Sequence, residues 1–224
     1  MSEPPPYSRT PHLWLLPGRT GRYVLPAKAA DLLLHEPATV EEKIDGANVS
    51  IWCDEHNLMR VATRGRSDAM DRARQLGRLR AWTAAQPLLP ALLQDGWVLY
   101  GEWMWLTHGI SYDALPDWLI CLDLWHSEMG FAPLAERNQR CREAGLALPP
   151  TLFEGVPQTR ERLQQLLGRS RFSSTAPAEG LVLRGRSGER AKLLSAAHHA
   201  RTDASWEEAP RHNRLKASDV STPI

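Results

Sequence analysis

The stretch Val40-Glu41-Glu42-Lys43-Ile44-Asp45-Gly46-Ala47-Asn48-Val49-Ser50-Ile51-Trp52 constrains the fold more than any other part of the chain. Two short runs with apolar and β-branched residues flank Asp45-Gly46, a dipeptide suited to a tight turn. The pattern predicts a strand, a turn and a second strand, paired as a hairpin. Lys43 stands where the first strand ends, held by backbone on both sides and aimed at whatever lies above the turn. Three roles fit a lysine placed in this way. It can be a solvated strand-end charge, since such turns are common. It can be a point charge for a phosphate. Or it can be a nucleophile, which needs a pKa lowered by burial or by a neighbouring cation. The turn alone does not choose among them.

The rest of the chain alternates strands and helices. Residues 58–63 read as a strand behind a turn at Asn57, ending in Thr63-Arg64-Gly65-Arg66. Residues 97–103 form an apolar strand with Glu102 near its end, and 118–125 a second one carrying Asp123. A polar loop at 170–177 delivers Glu179-Gly180-Leu181-Val182-Leu183-Arg184, and a Ser187-Gly188 turn leads into Glu189-Arg190-Ala191-Lys192-Leu193-Leu194. Helices are expected over 27–34, 68–85, 88–93, 134–145 and 159–167. Hairpin-rich strands with helices inserted between them point to an α+β domain.

The chain of 224 residues suits one large domain, or one domain with small additions, and nine tryptophans can anchor its core. No apolar run approaches the ~20 residues of a membrane span. The opening Met-Ser-Glu-Pro-Pro-Pro has neither the basic start nor the apolar core of a signal peptide. A cytoplasmic protein with no membrane partner is expected. Cys53, Cys121 and Cys141 are widely spaced, which argues against a disulfide framework or a cysteine zinc site. Net charge is +1, so any nucleic-acid surface must be a local patch. One candidate runs from Arg60 to Arg80, where seven arginines face only Asp68 and Asp71, a local charge of +5. Arg74 and Arg78 share a helix face there. Such a run is either a solvated face or a surface for a phosphate backbone. The tail, 196–224, carries His198, His199, Arg201, Arg211, His212, Arg214 and Lys216, and part of it reads as a helix or a disordered basic end. His198-His199 reads as surface, with no third ligand for a metal.

Lys43-Ile44-Asp45-Gly46-Ala47-Asn48 resembles the nucleotidyl-lysine motif, K-x-D/H-G-x-N, of ATP-dependent RNA ligases. These belong to the covalent nucleotidyltransferases, with DNA ligases and mRNA capping enzymes. Further motifs of that superfamily have counterparts in the same order: Arg64, Tyr100-Gly101-Glu102, Leu122-Asp123, Glu179-Gly180-Leu181-Val182 and Arg190-Ala191-Lys192. The resemblance covers about residues 38–194. The Arg9-Thr10-Pro11-His12-Leu13 run is also similar to the opening of some bacterial proteins of the RNA ligase family.

The resemblance implies a nucleotidyltransferase (adenylation) domain of two mainly antiparallel sheets with flanking helices and the nucleotide between the sheets. Residues 1–37 would be an arm and short helix packed on the domain, 38–195 the domain itself, and 196–224 a basic tail without an OB-fold domain. Lys43 would attack the α-phosphate of ATP, giving lysyl-AMP. AMP would pass to an RNA 5′-phosphate, and a 3′-hydroxyl would then close the strand, an activity suited to RNA repair. Lys192 would grip the α-phosphate. Glu42 would contact adenine, Asn48 the adenylate or the RNA end, Arg64 the ribose or phosphate side, and Glu102 the ribose. Glu179 would place Mg²⁺ or Mn²⁺, with Asp45 a second metal candidate. The metal, Lys192 and a cationic field would depress the Lys43 pKa. Arg66, Arg74 and Arg78 would meet the RNA backbone.

Two positions depart from the family pattern. Leu122 stands where an aromatic stacks on the base, and a nearby tryptophan is a candidate substitute. Arg190 stands where the first lysine of K-x-K is usual, and a guanidinium fork is no simple replacement for an ammonium. Expected partners are RNA ends or nicked RNA on a monomeric enzyme. End recognition would come from a partner protein, or from the arginine-rich helix and tail. Two alternatives stay open. A DNA ligase or capping-type transferase shares the K-x-D-G core, but usually appends an OB fold after the last motif, where 32 residues follow Lys192 here. A non-catalytic RNA-binding module could keep the fold, although it would not need Lys43, Glu102, Glu179 and Lys192 together.

Overall fold

The Asp45-Gly46 turn does not close a hairpin. The computed structural model describes residues 3–15, 23–64, 69–186, 188–196 and 211–217. In it the strand before the turn, β1 (Ala38–Lys43), pairs antiparallel with β7 (Thr151–Gly155) and β8 (Gly180–Gly185). The strand after it, β2 (Ala47–Cys53), pairs with β3 (Met59–Thr63) and β4 (Trp97–Trp103). The expected hairpin is therefore a crossing from one sheet to another. An Asp-Gly turn serves either purpose, and the choice is made by its bonds to residues far along the chain. The Asp45 amide donates to the Tyr112 hydroxyl at 2.9 Å, and the Gly46 amide to Glu102 at 3.1 Å. The Gly109 amide donates to the Asp45 carboxylate at 2.7 Å.

The first sheet has the order β7-β1-β8-β9, with β9 spanning Arg190–Leu194. The second has the order β3-β2-β4-β5-β6, with β5 at Leu119–His126 and β6 at Gly130–Phe131. Every pairing within both sheets is antiparallel. The expected helices are present as α1 (Ala27–His35), α2 (Ala69–Ala84), α3 (Leu89–Leu92), α4 (Leu134–Glu143) and α5 (Arg160–Leu166). Each sheet buries one face under its own helices. Leu33 of α1, Leu163 of α5 and Leu13 of the N-terminal arm pack on Val40, Leu181, Leu183, Ala191 and Leu193. Leu79 and Trp82 of α2, with Cys141 of α4, pack on Val49, Ile51, Leu99, Trp103 and Leu119. Alternation along the strands then turns the other faces, with Lys43 and Lys192 on the first sheet, toward the second sheet.

A buried ion cluster joins the two sheets. Arg137 of α4 is fully buried, donates to Glu41 of β1 and reaches the Leu122 carbonyl at 2.8 Å. Arg184 of β8 donates to Glu41 at 2.6 Å, to Asp123 of β5 at 2.8 Å and to the Leu122 carbonyl at 2.9 Å. Arg190 of β9 donates to Asp123 at 2.5 Å. Charges taken out of water in this way need partners on every side.

Both ends of the chain are woven into the fold. Lys192 exchanges backbone bonds with Pro11 (2.8 Å) and Leu13 (2.9 Å), so the arm extends the first sheet beside β9. Where it is described, at 211–217, the tail is bonded to the fold. His212 bridges Leu106, Leu215 bridges Leu115, and Asn213 is buried. Residues 197–210 and 218–224 lie outside the described residues.

Gly180 marks where β8 leaves no room. A Cβ there would sit 2.1 Å from the Leu193 carbonyl oxygen, backbone against backbone. Gly180→Ala is expected to cost about 3 kcal/mol, because β8 and β9 must part to admit it. A thermal melt beside the wild type checks this.

Candidate functional site

The site lies where the two sheets meet, at the end of β1. The Lys43 ammonium donates to Glu179 at 2.6 Å, and Glu179 is almost wholly buried. Register explains the meeting, because Lys43 lies opposite Gly180, the residue after Glu179. Glu102 enters from β4, where it lies opposite Asn48 of β2. The Asn48 amide group reaches the Gly101 carbonyl at 3.4 Å and the Glu102 carboxylate at 3.5 Å. Lys192 lies opposite Val182 on β9, and its charge acts on Glu179.

Electrostatics within this group run opposite to one expectation. Burial pushes the Lys43 pKa down, but Glu179, Glu102 and Asp45 together outweigh it and leave it raised. A depressed Lys43 pKa is therefore not a property of the protein's own charges. The residues named as metal and ribose contacts are carboxylates, and they crowd the amine they were expected to serve. In turn, burial pushes Glu102 up to about 8 and Glu179 up to about 7, against the lowering pull of Lys43 on each. The cluster is short of positive charge.

That shortage sets a pH dependence. Glu102 and Glu179 both titrate higher in the folded protein than in the unfolded chain. The folded state therefore binds more protons between about pH 4.5 and pH 8, and their contribution to stability falls as pH rises through that window. Glu102→Gln is expected to flatten the decline by roughly 2 kcal/mol between about pH 5 and pH 8, read from chemical denaturation at each pH.

The carboxylates also bear on metal binding. Among the described residues no group of three or more His, Cys, Asp or Glu is arranged to hold a metal ion. Asp45 and Glu179, both acting on Lys43, offer a sparser oxygen set. This donor set fits Mg²⁺ or Mn²⁺, hard cations that take one or two carboxylates and fill their shell with water and phosphate oxygens.

Other expected contacts sit around this centre. Glu42 is buried beside Lys43 and accepts bonds from the Ser170 hydroxyl at 2.5 Å and the Arg171 amide at 2.8 Å, so it fastens the 170–177 loop. Leu122 packs on a cluster of Tyr7, Trp52, Val98 and Tyr100, with Trp125 nearby. The rings beside it thus include two tyrosines as well as tryptophans. Arg64 is exposed and donates to the Tyr7 carbonyl at 2.6 Å. Arg190 is engaged by Asp123, by the Tyr7 hydroxyl at 2.5 Å and by Ser8 at 2.9 Å, and stacks over the Phe131 ring. It belongs to the ion cluster, two residues along β9 from Lys192. Arg74 and Arg78 are exposed on α2, and Arg66 lies outside the described residues. A cavity of about 820 Å³ opens at the far end of β1, walled by Thr39, Phe131, Arg184 and Arg190, with Lys43 absent from its lining.

Several residues that build the site carry no local signal. Tyr7 donates to Asp123 from 116 positions away and packs against Tyr100 at 5.0 Å between ring centroids. Tyr112 caps the Asp45 turn. His108, in the same loop as Gly109, has a buried Nε2 with no hydrogen-bond partner among the described residues. Only pairing across the fold brings Tyr112 to the Asp45 turn and Tyr7 to Asp123.

Comparison with solved structures places the fold. Naegleria gruberi RNA ligase with PPi matches with a TM-score of 0.58 and 17% identity, over 91% of this chain and 64% of that one. A point mutant of the same ligase with ATP and Mn matches at 0.59 and 14%, over 88% of this chain and 57% of that one. A mutant with AMP and Mn matches at 0.57 and 14%, over 85% and 56%. This chain thus spans less than two thirds of the length of those ligase structures. No curated protein matches by sequence. Among the described residues no helix is long and apolar enough to cross a membrane. The family model for RNA ligase matches residues 36–194, the span from the strand that ends in Lys43 to the strand that carries Lys192, and the chain belongs to the RNA ligase family.

Proposed function

We propose that this chain is an ATP-dependent RNA ligase that works through a lysyl-AMP intermediate and serves RNA repair. The observation that carries the reading is the Lys43–Glu179 contact of 2.6 Å at the junction of the sheets, with Glu102, Asp45 and Lys192 acting on the same group. Ligase structures of the same fold, solved with ATP and Mn or with AMP and Mn, support ATP and a divalent metal as its reactants.

Three displacements at phosphorus follow. The neutral Lys43 amine attacks the α-phosphorus of ATP, a P–N bond forms, and pyrophosphate leaves with the electron pair of the bond broken. A 5′-phosphate oxygen of RNA then attacks the same phosphorus and Lys43 leaves, recovering its proton. A 3′-hydroxyl finally attacks the activated 5′-phosphorus, and AMP departs as the phosphodiester forms. Splitting the reaction this way replaces one hard displacement with activated, positioned steps. Glu179 orients the Lys43 amine and is the nearest acceptor for its proton. Lys192 offsets charge on the phosphate, Glu102 holds the Gly46 turn and faces the ribose, and Asn48, beside Glu102, meets the adenylate or the RNA end. Glu42 borders the adenine, and Leu122 covers it by apolar contact, lacking about 1 kcal/mol of aromatic stacking. Asp45 and Glu179 would hold Mg²⁺ or Mn²⁺, which when bound supplies charge neutralisation on the triphosphate.

The test follows the label. Protein stripped of pre-bound AMP is incubated with ATP carrying ³²P at the α-phosphate and Mg²⁺, run on a denaturing gel, then chased with 5′-phosphorylated RNA or DNA. Label on the protein that moves to RNA and is released as AMP on joining is the expected result. No label with ATP or GTP and either metal from folded protein would overturn the reading. Transfer to DNA in preference to RNA would redirect it to a DNA ligase.

A further inference from the structure

The described part of the tail is fastened to the loop that holds the nucleotidyl-lysine turn. The Thr107 amide donates to the Arg211 carbonyl at 2.7 Å, and the Arg214 amide to the Tyr112 carbonyl at 2.8 Å. The Asn213 side chain is buried, donates to the Met104 and Leu106 carbonyls at 2.8 and 3.0 Å, and accepts from the Tyr112 amide at 2.9 Å. That same Tyr112 accepts from the Asp45 amide, and Gly109 donates to the Asp45 carboxylate. A single loop therefore ties the tail to the turn beside Lys43.

With its backbone and Asn213 engaged inward, the tail segment presents His212, Arg214 and Lys216 to solvent. His212 lies against Trp105, with ring centroids 4.6 Å apart and planes at 53°. Arg78 of α2 lies over the Trp105 ring at 5.5 Å. Residues more than 130 positions apart thus meet on one surface, a basic helix face and a basic tail with an aromatic pair between them. Asp113 is the acidic neighbour that acts on Arg214. The chain's net charge is only +1, so this concentration of cations is a local feature.

We propose that this surface, Trp105 with Arg78, His212, Arg214 and Lys216, binds a single-stranded RNA segment next to the end being joined. The inference rests on the RNA ligase reading and adds where the RNA lies. Cations on both sides of the pair suit a phosphate backbone, and the exposed His212 ring, seated on half-buried Trp105, offers a stacking face to an unstacked base of a single strand, which a duplex does not offer. The loop from Met104 to Tyr112 then connects RNA contact directly to the Asp45 turn and Lys43.

The test uses the full chain and a 5′-phosphorylated single-stranded RNA of about 20 nucleotides, with affinity read by fluorescence anisotropy over a salt series. Arg214→Gln/Lys216→Gln is expected to bind about tenfold more weakly near 0.1 M salt, with a salt slope shallower by about 1.4, two phosphate contacts at about 0.7 each. His212→Ala is expected to weaken binding about fivefold with little change of slope, because it removes ring contact rather than a fixed charge. All three residues are exposed, and thermal melts of each variant are expected to overlay the wild type. Unchanged affinity and slope in both variants, or a loss confined to duplex RNA, would overturn the proposal. Covalent AMP labelling of the same samples keeps the two readings apart. Labelling lost in every sample, with tail-dependent RNA binding intact, would sink the ligase chemistry and leave the RNA surface standing.

Discussion

Lys43→Ala is expected to lose covalent AMP labelling by at least about 10⁴-fold, an effect on the scale of removing a covalent nucleophile. The reason is geometric as well as chemical. Lys43 is held on Glu179 at 2.6 Å from the end of β1, and Gly180 lies opposite it in register. Lys192 is the other amine acting on Glu179, but its backbone is fixed on β9 against Pro11 and Leu13, opposite Val182 rather than at the turn. Lys43→Arg is expected to be equally inactive, since a guanidinium stays protonated and offers no lone pair. The fold should survive, because Glu179 can take up a proton once its lysine is gone. Loss of Lys43 removes the largest pull lowering the Glu179 pKa, so that carboxyl should titrate higher in Lys43→Ala than in the wild type. A labelling gel checks the chemistry, and pH-dependent denaturation checks the carboxyl. Full labelling of Lys43→Ala would move the nucleophile elsewhere and dismantle the proposed site.

The largest effect on stability is expected from Arg137→Met, about 3–5 kcal/mol against a typical domain total of roughly 5–15 kcal/mol. Arg137 is fully buried and donates to Glu41 through Nη2, its Nη1 reaches the Leu122 and Cys121 carbonyls of β5 at 2.8 and 3.4 Å, and its Nε has no hydrogen-bond partner among the described residues. Truncation leaves Glu41 with Arg184 as its remaining cation and strips a donor from the Leu122 carbonyl. Most of the cost is that of a buried charge left with too few partners. Glu41→Leu/Arg137→Met is therefore expected to be less destabilised than Arg137→Met alone, because it removes both charges and leaves Arg184 paired with Asp123. Urea denaturation of the wild type, Glu41→Leu, Arg137→Met and the double variant decides the point. A double variant as unstable as the sum of its singles would show that the pair is not coupled. Because the cluster ends on the Leu122 carbonyl and Asp123, Arg137→Met should also loosen the wall around Leu122, where we propose that adenine sits, with an increased KM for ATP as the expected result.

Much of the site could be read before any coordinates. Lys43, Glu102 and Glu179 stand at or near strand ends and Lys192 in the middle of β9, each beside a distinctive local pattern, and the charges of all four act on one group. The helices follow apolar periodicity and helix-stop residues, and α2, α4 and α5 lie within two residues of their expected bounds. What misled was the turn at Asp45-Gly46. Its composition fits a hairpin, and nothing within a dozen residues reveals that β1 and β2 belong to different sheets. Nor could local pattern show that Asp123 and Arg190 serve an ion cluster, since their partners Arg184 and Tyr7 lie 61 and 183 positions away, respectively.

By itself the sequence determined the elements and the family: alternation and β-branched residues make strands, Gly180 admits a backbone that no side chain could meet, and the ordered motifs identify an RNA ligase domain. Tertiary structure alone decided which strands share a sheet, how the arm and tail are tied in, and whether the protein's own charges raise or lower the Lys43 pKa. The physical reason is range. Turn and strand preferences act over a few residues, whereas sheet pairing, burial and the field at a buried amine are sums over groups that the chain brings together only after it has folded.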